Sequence, residues 1–224
     1  MTWIKICGTT NLEDAQICVA AGADALGFIF AESPRRITPA AAAGIISKLP
    51  KKLDKIGVFA GQRPEYIHKT SVESCVTGVQ FQQKHGPELA EKLKSEIPGL
   101  IVTKVESAPE MLQRLEKATG FALPHETQLW IDRLMFDNAG GGTGRTFDWK
   151  KSQGLIRGFR IIFDKIIVAG GLTPGNVGEA IRILRPWGVD VVTGVEREPG
   201  KKDPDKVKAF IEAVRRADQE LASQ

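Results

Sequence analysis

The chain has 224 residues, of which 42% are hydrophobic and 26% are charged, a composition typical of a globular protein and unlike a disordered one. Its net charge of +4 is spread along the chain, which suits small anionic ligands at least as well as nucleic acid. No apolar run approaches the roughly 18 residues of a membrane span, the start lacks a secretory signal layout, and the three cysteines form no CxxC pair. We therefore expect a cytoplasmic protein with neither a nucleic-acid partner nor a membrane partner.

Short apolar runs alternate with amphipathic stretches along the whole chain. The runs predict eight strands, over residues 3–7, 25–30, 55–60, 77–81, 100–105, 134–136, 165–169 and 189–192. The intervening stretches predict helices over 11–21 and 64–73, and others that begin near residues 39, 87, 108, 147, 174 and 203. Asn11 and Thr173 are the expected N-caps, and Gly22 is the expected left-handed residue after the first helix.

Eight strand–helix units in 224 residues leave roughly 28 residues for each unit, close to the minimum for a parallel crossover. Six units would suggest an open, doubly wound sheet, whereas eight suggest a closed (β/α)8 TIM barrel. Residues 119–133 fit no unit and are interpreted as an enlarged connection before the sixth strand. No linker or shift in composition divides the chain, so we expect a single α/β barrel domain over residues 1–224.

In such a barrel the chemistry belongs at the carboxyl ends of the strands, where three consecutive loops are rich in glycine and hydroxyl residues. These loops span residues 140–146, 169–174 and 193–196. Glycine allows successive backbone N–H groups to turn toward an anion, and two of the loops can lead into helix N-termini. A phosphate-bearing ligand is therefore favoured over three flexible surface turns.

Cys7 and Asp137 end the first and sixth strands on the same rim. At an ordinary pKa of about 8.5, Cys7 would be roughly 3% thiolate at pH 7, and position alone leaves a catalytic and a packing role open. Asp137 could act as a general acid if burial raises its pKa, or could form a turn with Asn138. Cys18 and Cys75 have no neighbours that suggest chemistry.

Two basic segments allow functional or purely solvated interpretations. The arginines in Pro34–Pro39 could bind a carboxylate through a planar guanidinium, although loop arginines are commonly solvated. Residues 201–203, with sequence KKD, are interpreted as the solvated start of a helix. The three histidines share no metal-ligand spacing, so neither a metal nor a cofactor is expected.

An ordered series of motifs runs nearly from end to end. They are KICGTT at 5–10, GADALGFIF at 22–30, SPRRITP at 33–39, GGTGRTFDW at 141–149, GGLTPGNV at 170–177, and GVE at 194–196 followed by PGKKD at 199–203. In this order they resemble the phosphoribosylanthranilate isomerase family of tryptophan biosynthesis. The resemblance implies a cofactor-independent Amadori rearrangement of a phosphorylated small molecule, by a monomer or a homodimer.

Carried over by motif, the resemblance makes Cys7 the general base and Asp137 the general acid. Arg35 would meet the anthranilate carboxylate of the substrate, with Arg36 as the second choice. The other expected substrate contacts are Gln80, Gly142, Gly144, Gly171, Thr193 and Gly194.

The chain departs from the family pattern at two places. The usual Gln-Leu-His-Gly after the fourth strand is replaced by the sequence QFQQ over residues 80–83, and two usual serines near the eighth strand are replaced by Val192 and Thr193. Gln82 and Val192 are the only support for a non-catalytic phosphate-binding barrel. Another sugar-phosphate barrel enzyme, such as the related isomerase of histidine synthesis or a thiamine-phosphate synthase, would share the phosphate loops but use different strand-end residues.

Overall fold

Eight parallel strands close into a barrel in the order of the chain. The computed structural model describes residues 1–82, 87–117, 129–138 and 144–223. The strands are β1 Trp3–Cys7, β2 Ala25–Ile29, β3 Asp54–Phe59, β4 Gly78–Gln82, β5 Ile101–Ser107, β6 Arg133–Asp137, β7 Ile166–Val168 and β8 Gly188–Val191. The seam between β1 and β8 completes the ring, with Ile4 opposite Val189. The predicted (β/α)8 barrel is thereby confirmed.

Helices cover the outside of the barrel between successive strands. They are α1 Leu12–Ala21, α2 Pro39–Ile46, α3 Pro64–Ser74, α4 Pro87–Glu96, α5 Ala108–Lys117, α6 Trp149–Phe159, α7 Val177–Leu184 and α8 Pro204–Ala222. A short antiparallel ribbon of β9 Glu196–Glu198 and β10 Lys201–Lys202 precedes α8. Most of the connection expected over 119–133 lies outside the described residues, and no described helix could cross a membrane.

Capping side chains explain where several helices begin. The Oδ1 of Asn11 accepts a hydrogen bond from the backbone of Asp14 at 2.8 Å, and Gly22 ends α1 with a φ of 103°. The expected start of α7 at Pro174, with Thr173 as its cap, is wrong. The Asn176 side chain bonds to the backbone N–H of Thr173 and to the carbonyl of Gly171, which holds residues 173–176 in a turn and delays the helix to Val177.

Alternation along the strands separates two layers of packing. Ile4 and Ile6 belong to the large apolar layer between the strands and the helices, whereas Val105, Met135 and Ile167 belong to a small cluster inside the barrel. Successive strand residues point to opposite faces of a sheet, so Lys5 and Cys7 face the interior. The interior near β1 is therefore polar where its outer face is apolar.

A buried arginine occupies the amino-terminal end of the barrel. The Arg133 guanidinium lies 4.6 Å from the ring of Trp3 and 5.0 Å from that of Trp187, and its Nη2 donates to Asp54 at 2.7 Å. The two indole rings are themselves stacked, 5.0 Å apart. Cation–π contacts and an ion pair thus replace water around this charge.

Replacement of this arginine tests the contribution of that cluster to stability. Arg133→Leu should lower the free energy of unfolding by about 3 kcal/mol, because it leaves Asp54 without its charged partner. The control is Arg182→Leu, which breaks an ion pair between Arg182 and Glu220. These two side chains are 47% and 44% exposed, so the substitution should lower the free energy of unfolding by less than about 1 kcal/mol. Urea unfolding monitored by circular dichroism measures both, and equal losses would contradict a structural role for the buried cluster.

Candidate active site

The Cys7 side chain is buried against the backbone of the neighbouring strand. Cys7 ends β1 and is 2% exposed. A β-carbon at position 27 would overlap its Sγ, so the thiol occupies space that exists because β2 has glycine there. The next residue, Gly8, has a φ of 81°, and its N–H donates to the carbonyl of Gly27 at 3.0 Å. The chain therefore turns away directly after the thiol.

A buried ion pair lies beside that thiol. The Lys5 Nζ is 2.9 Å from Oδ1 of Asp190, and the two side chains are only 1% and 6% exposed. Burial lowers the pKa of Lys5, but the interactions with Asp190 and Cys7 outweigh burial, so the pKa is raised and the amine stays charged. Neither Lys5 nor Asp190 is among the site residues predicted from the sequence. Each is a charged residue within an otherwise apolar strand, which is the pattern that could have indicated a buried functional group.

The environment of Cys7 favours the neutral thiol in the free protein. Burial is the largest influence and raises the pKa of Cys7, as does the charge of Asp190. The charges of Lys5 and Lys202 lower it, but the pKa remains above its ordinary value. A cationic neighbour is therefore present, as the thiolate would require, but it does not fully offset desolvation.

Asp137 lies at the carboxyl end of β6, near the same ion pair. Burial raises its pKa to about 6, while a hydrogen bond from the backbone of Asn138 opposes the change. That bond, 2.6 Å long, runs from the N–H of Asn138 to Oδ1, whereas the turn considered for this residue would need a bond from the N–H two residues further on. No described residue donates to Oδ2. Asp137 therefore has one carboxylate oxygen bonded to its neighbour's backbone and one without a donor among the described residues.

Three loops meet beside Asp137 because glycines let their backbones touch. A β-carbon on Gly171 would come within 2.5 Å of Arg145, and one on Gly194 would overlap the carbonyl of Leu172. Gly144 and Gly171 have positive φ angles of 69° and 63°. The loops after β6, β7 and β8 therefore form one continuous surface.

Three of the residues expected to bind phosphate line a common pocket. Gly144, Gly171 and Thr193 line it together with Asp137 and Asp190. Gly194 adjoins Thr193, whereas Gly142 lies outside the described residues. Two larger cavities, of about 400 and 440 Å³, lie away from this pocket, one around Leu53 and one between α5 and α6.

Arg35 is held by a carboxylate of the protein. Its Nε and Nη2 donate to Glu196 at distances of 2.7–3.0 Å, and its side chain is 11% exposed. A β-carbon at Gly8 would lie 2.8 Å from its Cδ, so the stem of the arginine crosses the end of β1. The solvated interpretation of this loop arginine is wrong, while its neighbour Arg36 is exposed.

Gln80 lies on β4 and is 8% exposed. Its Oε1 is buried and accepts no hydrogen bond from any described residue. Gln82 ends the same strand, but its side chain lies outside the described residues, as does Gln83. Gln80 is therefore a buried polar side chain whose Oε1 has no hydrogen-bond donor among the described residues.

The interpretation of residues 201–203 as a solvated helix start is only partly correct. Asp203 caps α8, accepting from the backbone of Asp205 and Lys206. Lys202, by contrast, is fully buried: its Nζ donates to the carbonyl of Cys7 at 2.5 Å and to Glu196 at 3.1 Å. The burial of Lys202 is not predicted from the sequence, because it depends on residues that are distant along the chain.

Comparison with known proteins identifies the family. The profile described as N-(5'phosphoribosyl)anthranilate (PRA) isomerase matches residues 4–213. The chain belongs to this family. The PRA isomerase of Pelobacter propionicus is 40% identical over 212 residues, 94% of each chain, and that of Pelodictyon phaeoclathratiforme is 43% identical over 96% of this chain and 99% of its own.

Solved PRA isomerase structures share the fold over almost the whole chain. The Thermotoga maritima PRA isomerase is 35% identical and superposes with a TM-score of 0.80, covering 96% of this chain and 99% of its own. A PRA isomerase in complex with reduced 1-(o-carboxyphenylamino)-1-deoxyribulose 5-phosphate is 34% identical with a TM-score of 0.77 and the same coverage.

Titration of the strand-end thiol tests the electrostatics of this PRA isomerase site. The Cys7 thiol should ionise above the ordinary range because burial disfavours the thiolate. Lys5→Met should raise the pKa of Cys7 further, since it removes the nearest cation and leaves the Asp190 charge. Thiolate absorbance, taken as the difference from Cys7→Ala, gives the value. A thiol that titrates below pH 8 in the unaltered protein would contradict this account.

Proposed function

We propose that this chain catalyses the Amadori rearrangement of N-(5'-phosphoribosyl)anthranilate to 1-(2-carboxyphenylamino)-1-deoxyribulose 5-phosphate, an aldose–ketose isomerisation in tryptophan biosynthesis. Membership of the PRA isomerase family supports the substrate. The observation that carries the proposal is that a thiol and a carboxyl group at the ends of β1 and β6 share one Lys5–Asp190 pair. Proton donors and acceptors of this kind are what an isomerisation of this type needs.

Asp137 is proposed to open the ribose ring as a general acid. Its carboxyl group donates a proton to the ring oxygen, the bond from that oxygen to C1' breaks, and the nitrogen lone pair forms a C1'=N iminium bond. A carboxyl group with a pKa of about 6 is protonated in roughly one molecule in ten at pH 7, far more often than an ordinary aspartic acid. Burial thus equips Asp137 for this step.

Cys7 is proposed to act next as the base. Its thiolate removes the proton from C2', and the electrons of that C–H bond form C1'=C2' while the C=N electrons return to nitrogen. The resulting enolamine becomes the ketone when the C2' hydroxyl loses its proton and C1' gains one. Lys5 stays charged beside the sulfur, so it stabilises the thiolate while that form is present.

The reaction therefore needs the proton on Asp137 and none on Cys7, the reverse of the distribution that the two pKa values favour. Asp137 has the lower pKa, so the dominant form of the free site carries its proton on sulfur and the productive form carries it on the carboxyl group. Both forms contain the same number of protons. The productive fraction is small but constant between the two pKa values.

The remaining expected residues are proposed to bind the two ends of the substrate. Backbone groups of Gly144, Gly171 and Gly194 with the Thr193 hydroxyl would hold the phosphate, as would Gly142 in the segment outside the described residues. Arg35 would bind the ring carboxylate. The open Oε1 of Gln80 would accept a hydrogen bond from a polar group of the ribose or the amine. Binding at both ends supplies proximity to Cys7 and Asp137.

Removal of either reactive group tests the proposed chemistry. Cys7→Ser and Asp137→Asn should each lower kcat/KM by about 10³-fold or more, because each removes a proton-transfer group and preserves side-chain size. The assay follows the fluorescence decay of freshly made phosphoribosylanthranilate. Cys75→Ser is the matched control, since that cysteine is exposed and outside the site, and its rate should be unchanged. A wild-type protein that leaves the spontaneous decay unaltered would instead support a phosphate-binding barrel.

The pH dependence of kcat/KM tests the assignment of the two protons. Below about pH 6 both groups are protonated and the base is missing, so the rate should fall tenfold for each pH unit. Above the raised pKa of Cys7 both are deprotonated and the acid is missing, so it should fall again. A broad plateau between these limits is expected. If the rate declines from pH 6 upward, the group that acts as the base has a pKa below that of Asp137, which would contradict the raised pKa assigned to Cys7.

A further inference from the structure

A buried ionic network surrounds the arginine proposed to bind the substrate carboxylate. Glu196 is its centre: the carboxylate accepts from Nε and Nη2 of Arg35 and from Nζ of Lys202, and the Gly200 N–H adds a fourth donor at 3.1 Å. The side chains of Glu196 and Lys202 are 4% and 0% exposed. We call Arg35, Glu196 and Lys202 the mouth network.

Glu196 uses only one side of the guanidinium. Nε and Nη2 form the side that meets Glu196, whereas Nη1 donates to no described residue. A guanidinium can bind a second carboxylate end-on, through Nη1 and the remaining N–H of Nη2. The Arg35 stem lies close against Gly8, where a β-carbon would come within 2.8 Å of its Cδ. The arginine is thus held at its stem and along one side of its head.

The charges of the mouth network do not cancel. These two cations and one carboxylate sum to a net charge of +1, and the buried carboxylate of Asp14, which accepts from the Lys202 backbone N–H, lies beside them. Glu196 stays ionised because, although burial alone would raise its pKa, the hydrogen bond from Arg35 and the charge of Lys202 hold the pKa below its usual value. An anionic group on the ligand would pair with the end of the Arg35 guanidinium that Glu196 does not contact, whereas a neutral group would leave that end without a counter-charge.

The same network reaches the proposed base. Lys202 donates through Nζ to the backbone carbonyl of Cys7, and its own N–H donates to Asp14 at 2.9 Å. The end of β1 and the arginine head are therefore fixed relative to each other through one carboxylate and one ammonium group. Fixing a recognition group and a reactive group on a common support reduces the cost of ordering them when the substrate binds.

We propose that Glu196 is a positioning residue that makes the site selective for ligands with a carboxylate on the ring, by holding Arg35 side-on so that its Nη1 end faces the incoming carboxylate. This inference rests on the proposed function, because it assigns the second carboxylate to the substrate. A merely structural Glu196, which only secures the β9–β10 ribbon, would affect all ligands of the site alike.

Paired ligands distinguish these roles. One is reduced 1-(o-carboxyphenylamino)-1-deoxyribulose 5-phosphate, and the other is its counterpart with an unsubstituted phenyl ring. Calorimetry gives both dissociation constants, and their ratio measures selectivity for the carboxylate. The unaltered protein should prefer the carboxylate ligand at least tenfold. Glu196→Gln should lower that ratio at least fivefold and change the affinity for the phenyl ligand less than twofold.

Glu198→Gln is the matched control, because it makes the same substitution at an exposed position two residues along the same strand. Both of its dissociation constants should stay unchanged. Glu196→Asp keeps the charge but shortens the side chain, so it should retain a larger share of the selectivity than Glu196→Gln. Should Glu196→Gln fail to fold because Lys202 loses its counter-charge, Glu196→Gln/Lys202→Met removes both buried charges and should show the same loss.

Each result has a distinct meaning. Equal weakening of both ligands, or unchanged selectivity in folded Glu196 variants, would overturn the positioning role while leaving the isomerase assignment intact. Binding of both ligands by the unaltered protein without preference would overturn the positioning role together with the assignment of Arg35. Failure to bind either ligand, together with no isomerase activity, would overturn the proposed function itself.

Discussion

The Lys5 ammonium pairs with Asp190 across the seam that closes the barrel, since β1 and β8 are neighbours and these two residues are directly opposite each other. A buried ammonium without this partner would be strongly unfavourable. The pair therefore ties the first strand to the last. It also sets the field around the strand-end thiol and carboxyl group: Lys5 lowers the pKa of both, Asp190 raises both, and burial dominates each. Barrel closure and acid–base balance thus depend on one contact.

Missing side chains are as important to the site as the groups that are present. Gly27 and Gly170 are the positions where a β-carbon would overlap the Cys7 sulfur and the Asp137 carboxylate, respectively. Each reactive group thus fills the space left by a glycine on the next strand or just after it. A glycine costs conformational entropy on folding, but here it lets the neighbouring backbone approach the reactive side chain closely. That approach buries the side chain and raises its pKa.

Local patterns predict the framework of this protein well. Alternating strand–helix units of near-minimal length are sufficient to predict the eight-stranded barrel. The carboxyl ends of parallel barrel strands lie at the same end of the barrel, which brings Cys7 and Asp137 together. The strand–helix units can be predicted because they depend on short-range periodicity. The start of α7 was predicted wrongly because the side chain of Asn176 stabilises a turn that competes with the first helical positions.

Long-range partners explain what local patterns miss. Glu196 and Arg35 are 161 positions apart, and Lys202 and Cys7 are 195 apart. Residues 201–203 contain a charged run of the kind usually exposed, and only the folded barrel shows that Lys202 is enclosed. The raised pKa of Cys7 likewise results from the balance between desolvation and charges on several strands, which no spacing rule contains.

The closing seam also determines when the reactive groups acquire their surroundings. Lys5–Asp190, Arg35–Glu196 and the Lys202 contact with Cys7 all join the first forty residues to the last thirty-five. Cys7 is therefore synthesised well before Asp190, Glu196 and Lys202, which lie far along the same chain. Until Asp190 and Lys202 have been made, Cys7 lacks two of the charged groups that act on its pKa in the folded protein. The electrostatic surroundings of the thiol can therefore form only after most of this domain has been synthesised.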